Sequence, residues 1–234
     1  MQRKMKKYCI VLSSGIGKRF GGDLPKQYHR ICGRMVIEYT LDACDCGLFD
    51  ELILVVADEF IPMMQEVILK NGYTTPVRLV EGGKERVDSC RNAIMSVKDE
   101  DAYVVIHNGV QPFVTEETFS SVLDALHEND IVSVGIPSPY TVLLVDGEWA
   151  VVDMPDRSMC YLDLGPESFR LKTLRKVIGD EPGMRTNITG MAFNRGMKVS
   201  IVTGDIGDFK ITTVADMIRA ESILSERQEV RNGK

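Results

Sequence analysis

The sequence predicts an α/β protein built on a single doubly wound, mostly parallel sheet with a projecting β-hairpin arm. Two features predict the sheet: short runs rich in Val and Ile alternate with amphipathic segments, and several runs are apolar at nearly every position. Runs of that kind are typical of parallel strands whose two faces are both covered. The alternation breaks at residues 137–169, and this break predicts the arm.

Six runs have the length and composition of buried strands. They are Tyr8–Leu12, Leu52–Ala57, Val77–Val80, Tyr103–His107, Ile131–Ile136 and Val199–Val202. Four amphipathic segments have the period of helices. The first places Val36, Tyr39, Thr40 and Ala43 on one face, and the others are Phe60–Asn71, Arg86–Val97 and Glu116–Glu128.

Two of the predicted helices carry recognisable end signals. Gly72 follows Phe60–Asn71 and favours a helix stop there. Thr115 precedes two acidic residues, which indicates an N-cap followed by a first turn that complements the helix dipole. These signals predict helix boundaries at Gly72 and Thr115.

The alternating order of strands and helices predicts a Rossmann-like sheet with helices on both faces. In such sheets, ligands bind outside the carboxyl ends of the strands. The functional loops are therefore expected to follow Leu12, Val80, His107 and Ile136.

The predicted arm consists of Tyr140–Val145 and Ala150–Val152, which flank the turn-forming pair Asp146-Gly147. An antiparallel arm on a parallel domain is a candidate dimerisation element, and an ordinary surface hairpin is the alternative. We expect one domain over residues 1–234, with the arm at about residues 138–160.

Composition limits the classes of function. The chain has 234 residues and a formal charge of −6, which disfavours a nucleic-acid partner. The apolar run Tyr8–Leu12 is too short for the core of a signal peptide, and no stretch approaches the ~20 apolar residues of a membrane span. We expect a cytoplasmic protein without a membrane partner.

A glycine-rich loop follows the first strand and extends to Gln27. It fails the dinucleotide fingerprint because Phe20 occupies the third glycine position. It also fails the Walker pattern because Arg19 replaces the Ser or Thr after the lysine. The remaining interpretations are a long basic phosphate loop and a flexible surface loop.

As a phosphate loop, this segment has suitable chemistry. Gly15 and Gly17 allow backbone N–H groups to approach phosphate oxygens closely, and Arg19 and Lys26 add positive charge. Attack at an α-phosphorus builds negative charge on the transition state and on the leaving pyrophosphate, which cations stabilise. The loop therefore favours a nucleotidyltransferase that acts on a nucleoside triphosphate.

Three motifs in order resemble those of the methylerythritol-phosphate and ribitol-5-phosphate cytidylyltransferases, a family of the nucleotidyltransferase superfamily. They are the loop with Pro25-Lys26-Gln27, the segment Glu81–Ser89 and the segment Gly204–Thr212. The similarity extends from about Tyr8 to Glu221, which is nearly the whole chain. The resemblance implies transfer of CMP from CTP to a sugar or alditol phosphate, with release of pyrophosphate, as in isoprenoid biosynthesis.

The resemblance also implies a homodimer with swapped arms, Mg²⁺ as cofactor and CTP as cosubstrate, and a set of site residues. The catalytic candidates are Arg19, Lys26, Arg157 and Lys210. The nucleotide-binding candidates are Ser13, Ser14, Gly15, Gly17, Gly83 and Ser89. The acceptor-binding candidates are Asn108, Gln111, Thr141 and Arg157, of which Thr141 and Arg157 would act in the partner's site.

The chain departs from the family at its central motif, Asp-Ala-Ala-Arg-Pro. Asn108 replaces the acid and Gln111 replaces the arginine. Asn108, the one candidate metal ligand, is a weaker ligand than Asp, and Gln cannot pair with phosphate as Arg does. Two hypotheses follow: an active cytidylyltransferase, favoured by Arg19, Lys26 and Lys210, or a catalytically impaired nucleotide-binding homologue with a regulatory or assembly role.

Three further polar residues have two interpretations each. His107 ends a buried strand, which favours a structural histidine over a catalytic base. Asp205 and Asp208 lie in the third motif, and either metal binding or turn formation accounts for them.

Overall fold

Seven strands form one continuous sheet at the centre of the computed structural model, which describes residues 5–15, 24–179 and 187–231. Two short hairpins stand outside that sheet. In chain order, the strands are β1 (Lys7–Leu12), β2 (Arg30–Ile31), β3 (Arg34–Met35), β4 (Glu51–Val56), β5 (Val77–Glu81), β6 (Tyr103–Asn108), β7 (Ile131–Pro137), β8 (Leu144–Val145), β9 (Val151–Asp153), β10 (Tyr161–Arg170) and β11 (Ser200–Thr203).

Helices cover both faces of the sheet. They are α1 (Val36–Cys44), α2 (Ile61–Asn71), α3 (Arg86–Ser96), α4 (Glu116–Ala125), α5 (Leu171–Ile178), α6 (Ile188–Asn194) and α7 (Val214–Arg231). Short 3₁₀ turns lie at Lys26–Tyr28, Asp58–Phe60 and Arg157–Met159. In the part of the chain that the structure describes, no helix is both long and apolar enough to cross a bilayer.

The sheet confirms the predicted fold class. Its strand order is β11-β7-β10-β6-β1-β4-β5, and every pairing is parallel except those of β10. All six predicted strands are present, with ends shifted by one residue at most. The chirality and burial of such strands require helical crossovers on both faces, which the intervening helices supply.

Strand β1 shows why the predicted strands are apolar at successive positions. Cys9 and Val11 pack into the core beneath α1, α2 and α4, whereas Tyr8 and Ile10 pack into the core beneath α3 and α5. Successive side chains of a strand point to opposite faces, so both cores draw on the same strand. A central position between two helical layers therefore leaves β1 without a polar face.

The predicted helix signals are confirmed at both sites. Gly72 ends α2 in a left-handed conformation (φ 61°, ψ 51°), which glycine adopts without the steric cost of a Cβ. The Thr115 hydroxyl accepts a hydrogen bond from the Thr118 N–H at 3.2 Å and caps α4. Helices α3 and α4 end one and three residues before the predicted boundaries at Val97 and Glu128.

Strand β10 is the main element that the sequence pattern does not predict. It lies antiparallel between β6 and β7, and its pairing with β7 shifts register between Asp163 and Glu167. The break coincides with Gly165-Pro166, a pair that is typical of turns. Because the strand continues through this pair, its period-two pattern is interrupted and it resembles a loop in sequence.

The predicted arm contains an antiparallel hairpin of β8 and β9, whose first strand begins at Leu144 and not at the predicted Tyr140. Its loop is organised by Asp146, whose Oδ1 accepts hydrogen bonds from the N–H groups of Glu148 and Ala150 at 2.9 and 3.0 Å. Trp149, rather than Gly147, takes the left-handed conformation there, with φ of 66°. The arm joins the sheet where Pro137 of β7 faces Tyr161 of β10.

Candidate functional site

A cleft of ≈ 630 Å³ opens at the carboxyl edge of the sheet. It is lined by residues that follow β1, β4, β5 and β6, by the turn Lys26–Tyr28, and by Lys210 after β11. The position agrees with the rule for parallel sheets, and the volume is that of a small-molecule site. The loop after Ile136 instead leads into the arm.

Eight of the predicted site residues line this one cleft. They are Ser13, Ser14, Gly15, Lys26, Gly83, Ser89, Asn108 and Lys210. Gly17 and Arg19 lie outside the described residues. The structure therefore brings together the nucleotide-binding candidates that it describes, two of the cationic candidates and one acceptor-binding candidate.

The start of the glycine-rich loop is held by Gln27. Its amide nitrogen donates to the carbonyl oxygens of Ser13 and Gly15 at 2.7 and 2.9 Å. The Ser13 N–H donates to the Val55 carbonyl at 2.8 Å, which ties the loop to β4. Gln27 is a positioning residue that sequence reasoning missed, although it stands next to Lys26 in the first motif.

The loops that follow β1 and β5 pack closely against each other. The hydroxyl oxygens of Ser14 and Ser89 lie 2.9 Å apart, and the Ser89 Oγ accepts a hydrogen bond from the Gly83 N–H at 3.0 Å. A Cβ on Gly82 would lie 2.3 Å from the Ser14 Cβ, and one on Gly83 would lie 2.3 Å from the Asp88 Cβ. Glycine is therefore required at both positions.

Among the residues that the structure describes, four cationic side chains line the cleft against one acidic side chain. The cations are Lys26, Lys84, Arg86 and Lys210, and the acid is Glu85. The Lys26 Nζ donates to the Ile211 carbonyl at 2.6 Å, which joins the first motif to the third. In a chain of formal charge −6, this local excess of positive charge indicates a polyanionic ligand.

Arg86 is a second functional residue that sequence reasoning missed. Its guanidinium lies 2.5 Å from Glu167 Oε2, and Glu167 Oε1 accepts a hydrogen bond from the Thr189 N–H at 2.9 Å. Arg86 stands inside the second motif, where a guanidinium is the chemical signal of an anion site. The ion pair fixes one edge of this side chain while another part of it lines the cleft.

On the opposite wall, Asn108 and Lys210 contact each other. The Lys210 Nζ donates to the Asn108 Oδ1 at 3.2 Å, and the Asn108 amide nitrogen donates to Gln111 Oε1 at 3.1 Å. Gln111 was predicted to bind the acceptor, but it is fully buried behind Asn108 and does not line the cleft. The reason is that its amide nitrogen donates inward, to the Leu164 carbonyl and to Asp208.

The other polar residues near this wall have structural contacts. His107 is fully buried, and burial lowers its pKa to about 4, so the ring is neutral at neutral pH. Its Nε2 lies 2.9 Å from the Gln111 carbonyl oxygen, which requires a proton on Nε2. Asp205 accepts a hydrogen bond from the Gly207 N–H at 2.7 Å, which is turn formation.

Among the described residues, the cleft offers few oxygen ligands for a magnesium ion. Mg²⁺ in proteins usually takes one or two carboxylates. The cleft offers Glu85, and the Asn108 oxygen already accepts a hydrogen bond from Lys210. Across the described residues, no group of three His, Cys, Asp or Glu side chains has the arrangement of a metal site.

The remaining acceptor candidates lie on the arm. Thr141 and Arg157 are exposed and do not line the cleft of their own chain. The arm and the adjoining start of β10 expose a set of large apolar side chains. They are Tyr140, Leu143, Leu144, Val145, Trp149, Val151, Val152, Met154, Met159, Tyr161 and Leu162.

Comparison of the sequence with known proteins gives one consistent family. The family model described as 2-C-methyl-D-erythritol 4-phosphate cytidylyltransferase matches residues 8–226. A protein of that name from Syntrophus aciditrophicus (strain SB) is 34% identical over 231 residues, which cover 96% of this chain and 98% of that protein. One from Lachnoclostridium phytofermentans is 32% identical over 228 residues, covering 94% and 97%.

Solved structures agree with this result. The 4-diphosphocytidyl-2C-methyl-D-erythritol synthase from Anaerococcus prevotii DSM 20548 has a TM-score of 0.83 at 27% identity, covering 94% of this chain and 99% of that one. The 2-C-methyl-D-erythritol 4-phosphate cytidylyltransferase from Thermus thermophilus has a TM-score of 0.72 at 21% identity, covering 94% and 98%, which supports the fold alone. The resemblance predicted from the three motifs is confirmed.

Proposed function

The chain belongs to the 2-C-methyl-D-erythritol 4-phosphate cytidylyltransferase family, and we propose on that premise that it transfers CMP from CTP to 2-C-methyl-D-erythritol 4-phosphate. The observation that carries the proposal is the cationic cleft, in which the three family motifs meet. The comparisons contain nothing that favours the catalytically impaired alternative. Residues 1–234 would act as one catalytic domain.

The proposed reaction needs no general base. An ionised phosphate oxygen of the acceptor attacks the α-phosphorus of CTP, and a new P–O bond forms. The bond from the α-phosphorus to the oxygen that bridges to the β-phosphate breaks, and pyrophosphate leaves with that oxygen. Because the attacking phosphate is already ionised at neutral pH, positioning and charge neutralisation carry the catalysis. The buried, neutral His107 is not required.

We assign the charge neutralisation to lysines on two sides of the cleft. Lys26 would hold the triphosphate together with Arg19, and Lys210 would lie between the two phosphates being joined. Both lysines line the cleft, and each is a strongly hydrated point charge suited to phosphate oxygens. Mg²⁺ would enter as a counter-ion of the triphosphate, and Glu85 is the carboxylate that the described residues of the cleft offer it.

We assign nucleotide recognition to the meeting point of the first and second motifs. Ser14 and Gly15 would present backbone N–H groups to the phosphates, Ser13 would hold the start of this loop against β4, and Gly83 and Ser89 would contact the cytosine. The Ser89 hydroxyl is already engaged by Ser14 and by the Gly83 N–H. This network supports a rigid base pocket, in which contacts are set before the ligand binds.

The proposed enzyme is a homodimer in which each arm completes the partner's cleft. Two observations support this arrangement: the arm exposes many large apolar side chains, and Thr141 and Arg157 lie outside the cleft of their own chain. Apolar surface of that extent is typical of an interface. Thr141 and Arg157 would then hold the acceptor's phosphate in the neighbouring site.

The activity is tested by pyrophosphate release from CTP with a panel of acceptors. We expect release with 2-C-methyl-D-erythritol 4-phosphate, accompanied by a CDP-linked product in equal amount. Ribitol 5-phosphate and UTP serve as controls for the acceptor and the base. Measurable CTP binding without release on any acceptor would instead support the impaired homologue.

The shared site is tested by mixing two inactive variants, Lys26→Ala and Arg157→Ala. In a swapped dimer, random reassortment makes half of the dimers mixed, and each has one intact site, so about a quarter of wild-type activity returns. Sites built within one chain would give no recovery, because each would still lack one of the two cations. Unmixed samples of each variant provide the baseline.

A further inference from the structure

A chain of hydrogen bonds leads from the cleft into the protein interior. Lys210 donates to Asn108, Asn108 donates to Gln111, and Gln111 donates to Asp208 Oδ2 at 3.0 Å. Asn108 and Lys210 line the cleft, whereas Gln111 has no exposed surface and Asp208 is 2% exposed. A ligand in the cleft therefore meets the first two residues directly and the last two only through them.

The direction of every bond in this chain is set by chemistry. A lysine ammonium can only donate, so Asn108 must present its oxygen to Lys210 and its nitrogen to Gln111. Gln111 then accepts through its oxygen and donates through its nitrogen to the Leu164 carbonyl and to Asp208. Reversing either amide would place donor against donor or acceptor against acceptor.

The backbone beside Lys210 is fixed independently. The Ile211 N–H donates to the Val110 carbonyl at 2.8 Å, so the main chain after Lys210 is bound to the chain after β6. The long, flexible lysine side chain is then positioned by its contacts, of which Asn108 is one. The orientation of one amide group thus bears directly on where the ammonium lies.

We propose that Gln111 and Asp208 are positioning residues that fix the Asn108 amide with its oxygen towards Lys210, and so hold the Lys210 ammonium in place for catalysis. The role of Lys210 in this inference rests on the proposed function. Asn108 and Gln111, the two replacements at the central motif, then act together, because Gln111 supplies both the donor and the acceptor that link Asn108 to Asp208.

The ionisation state of Asp208 should determine how strongly this hydrogen-bond network is held. Burial raises its pKa to about 7, the hydrogen bond from Gln111 opposes that rise, and the nearby Asp205 adds to it. Its Oδ1 is buried without a hydrogen-bond partner in the described part of the chain. Asp208 also acts electrostatically on the buried thiol of Cys44, whose pKa is raised by its hydrogen bond with Cys9 and by burial. Ionised Asp208 is the stronger acceptor for Gln111.

The first test compares Gln111→Met with Ser168→Ala. Methionine keeps the volume but removes both amide groups, and we expect kcat to fall roughly 10-fold with KM for CTP changed less than about 3-fold. Ser168 is equally buried, lies on β10 and has no assigned part in the cleft, so its variant should keep wild-type kcat. Equal losses in both variants, or an effect of Gln111→Met on KM alone, would overturn the proposal.

The second test uses Asp208→Asn, which keeps the size of the side chain and cannot ionise. The ratio of wild-type to variant kcat should rise from about 2 at pH 6 to roughly 10 at pH 8.5, as wild-type Asp208 ionises. Taking the ratio cancels the ionisation of the acceptor phosphate, which both enzymes share. A ratio that stays constant over this pH range would contradict the inference.

A third measurement does not depend on turnover. In protein labelled with ¹³C at the aspartate carboxyl groups, NMR follows the ionisation of Asp208, assigned by its loss in Asp208→Asn. Gln111→Met should raise the midpoint, because the ionised carboxyl loses its hydrogen-bond donor. An unchanged midpoint would refute the network, whereas a wild-type protein that forms no product would refute the proposed function instead.

Discussion

Lys26 has both a proposed catalytic role and a structural contact. It lines the cleft, and its Nζ donates to the Ile211 carbonyl just before α7. We expect Lys26→Ala to lower kcat by about 100-fold or more, because one preorganised cation is lost from the transition state. The stability should fall by only about 1 kcal/mol, because the Ile211 carbonyl loses the hydrogen bond that it accepts from Lys26. Steady-state kinetics and thermal unfolding measure the two effects.

The control for this variant is Lys70→Ala, which removes an exposed lysine from the last turn of α2. We expect its kcat to equal that of the wild type. Near-normal turnover of Lys26→Ala would remove this lysine from the proposed mechanism.

Gly82 shows how closely the first and second motifs approach each other. We expect Gly82→Ala to destabilise the fold by about 1–3 kcal/mol and to raise KM for CTP, because its Cβ would lie 2.3 Å from the Ser14 Cβ. Gly147→Ala is the matched control, since a Cβ there meets nothing within 4 Å. Urea unfolding and CTP titration check both variants. Equal stability in the two variants would contradict the close approach.

Asp208 should make stability depend on pH with a known sign. Its pKa is raised from 3.8 to about 7 in the fold, so between these values the native state binds more protons than the unfolded state. The stabilising contribution of Asp208 to the free energy of unfolding is thus present at low pH and is lost as pH rises through about 7. The loss is at most about 1.4 kcal/mol per pH unit.

The comparison that isolates this effect is Asp208→Asn against wild type at each pH. His107 acts in the opposite direction, because its lowered pKa destabilises the fold as pH falls below 6.5 towards about 4. His107 is present in both proteins, so its contribution cancels. Urea midpoints should show the variant gaining relative stability from pH 5 to pH 8, and a constant difference would contradict the assignment.

At the residue scale, the sequence predicts side chains that carry the chemistry and misses those that position them. Lys26 and Ser89 could be found because each lies within a short motif. The contact between Lys26 and Ile211 joins residues 185 positions apart, and no local pattern encodes it. The inward orientation of Gln111 is equally invisible, because it depends on the burial of Asp208.

At the element scale, β1 can be predicted from the sequence and β10 cannot. A strand covered on both faces by helices must be apolar at successive positions, so β1 can be identified by composition alone. Strand β10 pairs antiparallel and is interrupted at Gly165-Pro166, so its pattern is that of a loop. Helices α5, α6 and α7 also lie beyond the segments that periodicity identifies.

The arm exposes apolar surface of a kind that monomeric proteins rarely expose. Trp149 is 85% exposed at its tip, where an aromatic side chain of that size is expected to anchor an interface. We expect Trp149→Ser to weaken the proposed dimer about 10-fold or more. Analytical ultracentrifugation across a dilution series measures the dissociation constant.

Phe193→Ser provides the comparison for the arm variant. Phe193 is 71% exposed, but it lies on α6 and not on the arm, so its loss should leave association unchanged. If both variants associated equally well, the arm would not be the dimer interface.

At the scale of the whole molecule, the net charge of the chain is negative, whereas the lining of the cleft is positively charged. The formal charge is −6, yet in the described part of the chain four cations line the cleft against one acid. Added salt screens attraction at the open cleft, so KM for CTP should rise several-fold between about 0.05 and 0.5 M KCl. The inhibition constant of cytidine, which has no phosphates, should change less over the same salt range. An equal response would argue against charge as the source of affinity.

The junction between the arm and the sheet has a consequence for how this chain can be altered. Pro137 and Tyr161 face each other on neighbouring strands, and the Ser138 N–H donates to the Cys160 carbonyl at 2.8 Å. The two ends of the arm are therefore already as close as the ends of a tight turn. Residues 139–159 are an insertion in the topological sense: a short turn could replace them, and the sheet would close without a change in strand order.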